Sequence, residues 1–141
     1  MVDRERVLAK LDELAGYLRE LAEVVPHDIA AYRDTATRRA CERILQIAIE
    51  AVIDICSLFV VGLRLGVPAE ENDLFEKLAT AGLLSPDMVE RLRLMKGFRN
   101  LIVHEYGRVD DERVFELATA HVGDFDAFAE EIREALRLQP D

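Results

Sequence analysis

Between Ile44 and Val61 the chain is apolar almost all the way round a helix, and this run constrains what the rest can form. Its length approaches the roughly 18 to 20 residues that cross a bilayer. Gln46, Glu50 and Asp54 argue against a span, because they recur every four residues as one polar stripe. Two carboxylates at mid-depth would be costly in lipid. A helix from about Thr35 to Leu63, buried on most of its surface within a soluble fold, fits better. Burial on that scale implies that a partner chain covers part of it. The stripe is expected to be the helix's wet edge, since charged stripes mark solvent; the competing reading has it facing a functional seam.

The flanking segments are amphipathic. Val7, Leu11, Leu14, Leu18, Leu21 and Val25 repeat at four and three, which is the spacing of one helical seam. That helix spans 3 to 25, with Asp3 as its cap and Pro26 as its stop. Residues 27 to 34 are ambiguous, and helix can resume as early as Asp28. Gly62, Gly66 and Pro68 mark a break, and Val67 to Glu71 reads as loop. A short helix follows, capped by Asn72, running to Thr80 with Gly82 just beyond its end. Ser85-Pro86-Asp87 is a helix start, with a cap, a first-position proline and a first-turn acid. The fourth helix runs from there to about Glu105, and Gly107 ends it. Asp110 or Asp111 then caps a last helix, along which Ala118, Val122, Phe125, Ala129, Ile132 and Leu136 repeat at the same spacing. The expected architecture is all-α: an antiparallel bundle of four long helices plus one short one. It forms a single domain over residues 1–141, with its core at about 3–138.

The net charge is −10, which argues against a protein that coats nucleic acid with its whole surface. The distribution is uneven. Residues 88 to 108 hold five cations (Arg91, Arg93, Lys96, Arg99, Arg108) against Glu90 and Glu105, whereas residues 109 to 141 hold ten acids against three arginines. Arg33, Arg38, Arg39 and Arg43 form a second basic cluster. An acidic body with a basic seam is compatible with one RNA groove, and equally with salt-bridged helix faces. Cys41 and Cys56 on one helix lie about 22 Å apart. A disulfide needs about 6 Å between Cα atoms, so they are core thiols of a reduced cytoplasm. The charged N-terminus lacks the apolar region of a signal peptide. No Cys/His spacing suggests a metal, and no cofactor motif appears. His27 and His121 have neither a nucleophile nor a metal ligand beside them.

One stretch gathers chemistry: Phe98-Arg99-Asn100-Leu101-Ile102-Val103-His104-Glu105-Tyr106-Gly107. Arginine holds phosphate through a planar fork of donors at any pH, and histidine exchanges a proton near neutrality. Asn100 and His104, four apart, share a face. Arg99 and His104 are five apart, roughly 140° round an ideal helix. They can meet on one substrate only if the helix end loosens or a second chain completes the site. An arginine and a histidine suffice to cut RNA through its own 2′-hydroxyl. Each also has an ordinary role, as a solvated helix arginine and a dipole-capping histidine.

Arg99-Asn100, three apolar residues and His104 resemble the HEPN nuclease motif, and His104-Glu105-Tyr106 extends it to the His-x-Tyr form of the HepT family. Length and helix order carry the resemblance over nearly the whole chain. It implies a cytoplasmic homodimer with no membrane association, and a metal-independent endoribonuclease acting on an RNA such as tRNA or mRNA. Arg99, Asn100 and His104 would be catalytic. Tyr106 would accept AMP from an MntA-like nucleotidyltransferase antitoxin. Two alternatives remain, a non-catalytic HEPN-like partner of a nucleotidyltransferase and a plain structural dimer.

Overall fold

The computed structural model describes residues 1–104 and 110–140. Among them are seven helices and no strand. They are α1 (Arg4–Val24), α2 (Ile29–Tyr32), α3 (Thr35–Gly62), α4 (Glu71–Thr80), α5 (Pro86–His104), α6 (Asp111–Thr119) and α7 (Gly123–Arg137).

Helix α3 is the axis. Leu45, Ile49, Ile55, Cys56 and Phe59 are wholly inaccessible, and α1, α4 and α5 pack along it. Its most apolar 18-residue window is 61% buried inside the chain's own bundle. Passing the length test for a membrane span therefore reflects a core position. The polar stripe forms an edge of the helix, as expected. Gln46 Nε2 donates to Glu50 at 3.4 Å, and Asp54 pairs at 3.3 Å with Lys10 of α1. A Cβ at Gly62 would lie 2.6 Å from the Cα of Val2, so the start of the chain packs on the end of α3. With Lys10 opposite Asp54, that contact makes α1 antiparallel to α3. Both thiols are buried, and burial pushes each above its ordinary value of 9.0.

The helix starts follow local hydrogen-bond accounting, since the first N–H groups of a helix have no internal acceptor. Asp3, Asp28, Asp34 and Asp110 each accept from N–H groups two or three residues on. Ser85 does more. Its hydroxyl accepts from Met88 N at 3.1 Å and donates to Glu131 of α7 at 3.0 Å, while its own N–H donates to Glu131 at 2.8 Å. The cap of α5 is thereby tied to a second helix. Arg91 reaching Asp124 at 3.2 Å continues that pairing and sets α5 and α7 antiparallel.

Two expectations change. The short fourth element begins at Glu71, one residue before the expected cap Asn72. The cap is Glu70, and Asp73 in the first turn reaches back to it, its carboxylate receiving the N–H groups of Ala69 and Glu70 at 2.8 and 3.3 Å. The last helix is two. The Thr119 hydroxyl donates back to the Phe115 carbonyl at 2.7 Å, a contact that bends helices. Glycine follows at 123, and the ladder lapses into irregular bonds from His121 to Glu116 and from Asp124 to His121. Ala120 and Val122 keep right-handed helical angles through the break, so the apolar repeat runs across it unchanged. With α2 added, the bundle has more and shorter pieces than four long helices and one short. Gly82 behaves as expected, with φ +78° just past α4, where N–H groups of Gly82 and Leu83 close on Ala79 and Leu78.

Candidate active site

Helix α5 has two halves. Met88, Val89, Leu92 and Met95 are buried in the first. From Gly97 onward no residue of it is fully buried, and Val103 and His104 are exposed. The chemistry-bearing residues occupy this second half, between α4 on one side and α6 on the other. Phe98 turns to α6, where the Arg113 guanidinium lies 5.6 Å over its ring. A cavity of about 190 Å³ opens there, lined by Leu94, Met95, Phe98, Arg113 and His121 among others. Arg99, one position on, turns the other way to α4.

There the Arg99 Nη2 donates to Glu71, and its Nε donates to the Asn100 side-chain oxygen at 3.0 Å. The arginine side chain is 15% exposed. Sequence reasoning placed Glu71 in a loop and assigned it nothing. The signal that finds it is antiparallel register. Arg93 of α5 pairs with Glu76 of α4, so six residues further along α5 the facing position on α4 lies near residue 70. The adjacent Asn72 keeps its side-chain oxygen buried without a hydrogen-bond partner.

His104 is the last residue of α5, which stays helical up to it. No described residue bonds to its ring. Within one chain Arg99 and Asn100 are therefore together, while His104 is a further five residues along an unbroken helix, about 7.5 Å in rise and 140° in rotation. Of the two ways these groups could meet, loosening of the helix before His104 is absent. Tyr106 lies outside the described residues.

Three arginines of the basic seam are compensated in three dimensions. Arg91 pairs with Asp87 and Asp124, Arg93 with Glu90 and Glu76, and Arg99 with Glu71. In the second cluster Arg33, Arg38 and Arg39 pair with Glu112, Asp111 and Glu42. Near it the Tyr32 hydroxyl is buried without a hydrogen-bond partner, its ring 5.5 Å from Phe115. Burial, then the Glu42 carboxylate, push this phenol well above its ordinary range. His121 is exposed and 3.3 Å from Glu116. Among the described residues no three His, Cys, Asp or Glu side chains converge as metal ligands.

An all-helical bundle bearing Arg-Asn-x3-His on one helix end defines a HEPN-type nuclease fold and motif. A family model described as ribonuclease HepT-like matches residues 14–132, and the chain belongs to that family. It is 33% identical over 89 residues to an mRNA nuclease HepT of Shewanella oneidensis, covering 63% of this chain and 67% of that one. It is 32% identical over 74 residues to a tRNA nuclease HepT of Aphanizomenon flos-aquae, covering 52% of this chain and 50% of that one. Among solved structures, the tri-AMPylated Shewanella oneidensis HEPN toxin in complex with MNT antitoxin superposes with a TM-score of 0.85 at 26% identity, over 95% of this chain and 99% of that one.

Proposed function

We propose that the chain is a metal-independent endoribonuclease toxin, a single domain over residues 1–141 that works as a cytoplasmic homodimer. The observation that carries this reading is the placement of Arg99, Asn100 and His104 on the half-uncovered end of α5 in a HepT-like chain. Because α5 remains helical through His104, a second copy of the chain is the way to bring a histidine to a phosphate held by Arg99. Two α5 ends facing each other across a two-fold axis supply two arginines and two histidines.

The reaction is transesterification followed by release. His104 acts as general base on the 2′-hydroxyl, or as general acid on the leaving oxygen; two copies divide these tasks. The 2′-oxygen forms its bond to phosphorus as the bond to the 5′-oxygen breaks. One histidine takes the 2′ proton and the other gives a proton to the 5′-oxygen. Arg99 stabilises charge building on the non-bridging oxygens. Asn100 positions the arginine, and with it the scissile phosphate. The product ends in a 2′,3′-cyclic phosphate. The relatives above are named for mRNA and tRNA cleavage, and one of these classes is the expected substrate.

Tyr106 is the proposed acceptor for AMP from an MntA-like nucleotidyltransferase partner. Its phenol oxygen bonds to the α-phosphorus of ATP as pyrophosphate leaves and the phenol proton passes to solvent. A nucleotide two residues from His104 would fill the cleft and oppose RNA with its charge.

The test is cleavage of RNA by unmodified protein in EDTA beside His104→Ala. Parent cleavage to cyclic-phosphate ends, absent in the variant, supports the reading. Equal cleavage by both would place the activity elsewhere. No cleavage by a parent of unmodified mass favours a non-catalytic partner of the nucleotidyltransferase.

A further inference from the structure

The Arg99 guanidinium is already committed along one edge. A guanidinium has five N–H donors in a plane. Nε and Nη2 lie on the same side of that plane's outline, and this is the edge that elsewhere grips a carboxylate or phosphate side-on. Here Nε serves Asn100 and Nη2 serves Glu71. The donors left over form the end-on fork between Nη1 and Nη2.

Glu71 is not a loose surface acid. It opens α4, and two ties hold that helix to the segment leading into it. Asp73 gathers the N–H groups of Ala69 and Glu70. Lys77 Nζ donates at 3.1 Å to the carbonyl of Leu65. Gly66, at φ +104°, leaves room for that lysine, whose Nζ would lie 3.0 Å from a Cβ there. The other ion pair between these helices, Arg93 with Glu76, is more exposed, at 40% and 51% against 15% and 36% for Arg99 and Glu71. Arg93 also holds Glu90. One pair is a solvated tie between α4 and α5. The other grips a largely covered arginine that has no second acid among the described residues.

We propose that Glu71 is a positioning residue for Arg99. Together with Asn100 it holds the side-on edge, so that the end-on fork is what meets the scissile phosphate. The inference rests on the ribonuclease reading and names the residue that orients its arginine. A guanidinium held in advance loses less freedom when charge develops on the phosphate, so the effect belongs in turnover more than in binding.

The experiment uses full-length protein and a fluorescently labelled mixed-sequence RNA oligonucleotide. It compares the parent with Glu71→Ala, Glu71→Gln, Glu76→Ala, Arg99→Ala and the double variant Glu71→Ala/Arg99→Ala. Guanidinium nitrogen NMR is recorded alongside. Glu71→Ala should lower kcat by about 10- to 100-fold with KM within about threefold. Glu71→Gln, whose amide oxygen still accepts from Nη2, should return to within about fivefold of the parent, and Glu76→Ala should stay within about twofold. The double variant should be no slower than Arg99→Ala, because residues acting as a unit are not additive. The Arg99 Nη signals, separate in the parent through restricted rotation, should merge in Glu71→Ala. A Glu71→Ala variant with parental turnover, losses that multiply in the double variant, or unmoved Arg99 signals would each overturn the positioning role while leaving the nuclease intact. A parent that turns over no RNA overturns the ribonuclease reading, and the positioning role of Glu71 in turnover with it.

Discussion

Helices α3 and α5 are both long, yet the bundle uses them differently. Helix α3 has buried positions all the way from Cys41 to Val60, and even its Glu42 is only 7% exposed. Helix α5 is buried only as far as Met95, after which its side chains are half-covered or exposed. A residue in α3 is answerable to packing, where interiors are dense and a missing methylene is felt. A residue in the second half of α5 is answerable to little in the core, and can be chosen for what it does to a ligand. Arg99, Asn100 and His104 all lie in the half that packing releases.

This contrast can be broken by mutation. The largest effect expected is on activity. His104→Ala should lower RNA cleavage at least about 100-fold yet leave urea-unfolding free energy within about 0.5 kcal/mol, since the residue is exposed. A large loss of stability would mean the end of α5 is structural after all. Next come the two phenylalanines. Phe59, fully buried in α3, should cost about 3–5 kcal/mol on mutation to alanine. Phe98, half-covered in α5, should cost less than half as much in the same denaturation experiment. Equal costs would erase the distinction between the helices. Smaller is Ser85→Ala, which removes the cap of α5 and its link to Glu131; about 1 kcal/mol is expected, read as a lowered urea midpoint with cleavage retained.

The smallest effect concerns pH. The N–H of Thr37, foremost, holds the Asp34 carboxyl below its ordinary 3.8. A carboxyl lowered in the folded state stabilises above its unfolded value and loses that contribution as pH falls through the folded one. Urea midpoints of Asp34→Asn should therefore fall less than the parent's between pH 5 and pH 3. Parallel declines would remove this cap from the account.

Much of the bundle is written locally. Asp3, Asp28, Asp34, Ser85 and Asp110 are caps within reach of their own N–H groups, and Gly82 is the left-handed stop after α4. Apolar spacing locates the face of α1, and the polar stripe of Gln46, Glu50 and Asp54 locates the open edge of α3, because a 3.6-residue period sets which positions share a side. The same period concealed the break at 120–122. Ala120 and Val122 keep helical angles while the hydrogen-bond ladder fails, which a pattern of apolar positions does not record. Residue type points to Asn72 as a cap because asparagine often is one, whereas the cap of α4 is Glu70, with Asp73 reaching back to its N–H from inside the helix.

The charge pattern taught the same lesson. Counting along residues 88 to 108 gives a positive seam, yet acids that pair with three of its arginines, Glu71, Glu76 and Asp124, come from α4 and α7. A linear count has no access to them. The motif itself was legible, since Arg99, Asn100 and His104 are defined by residue type and spacing on one helix. Glu71 was not, because nothing within twenty residues of Arg99 points to it.

By itself, then, the sequence determined which segments are helical, which faces are apolar and which helix end carries an arginine, an asparagine and a histidine. All of these rest on interactions between residues a few positions apart. The tertiary structure decided how far α5 is covered, that α5 holds its helix through His104, and that α4 runs antiparallel beside it so that Glu71 reaches Arg99. Those outcomes depend on side chains brought together across the fold, where register between helices, and not spacing along the chain, fixes which charges meet.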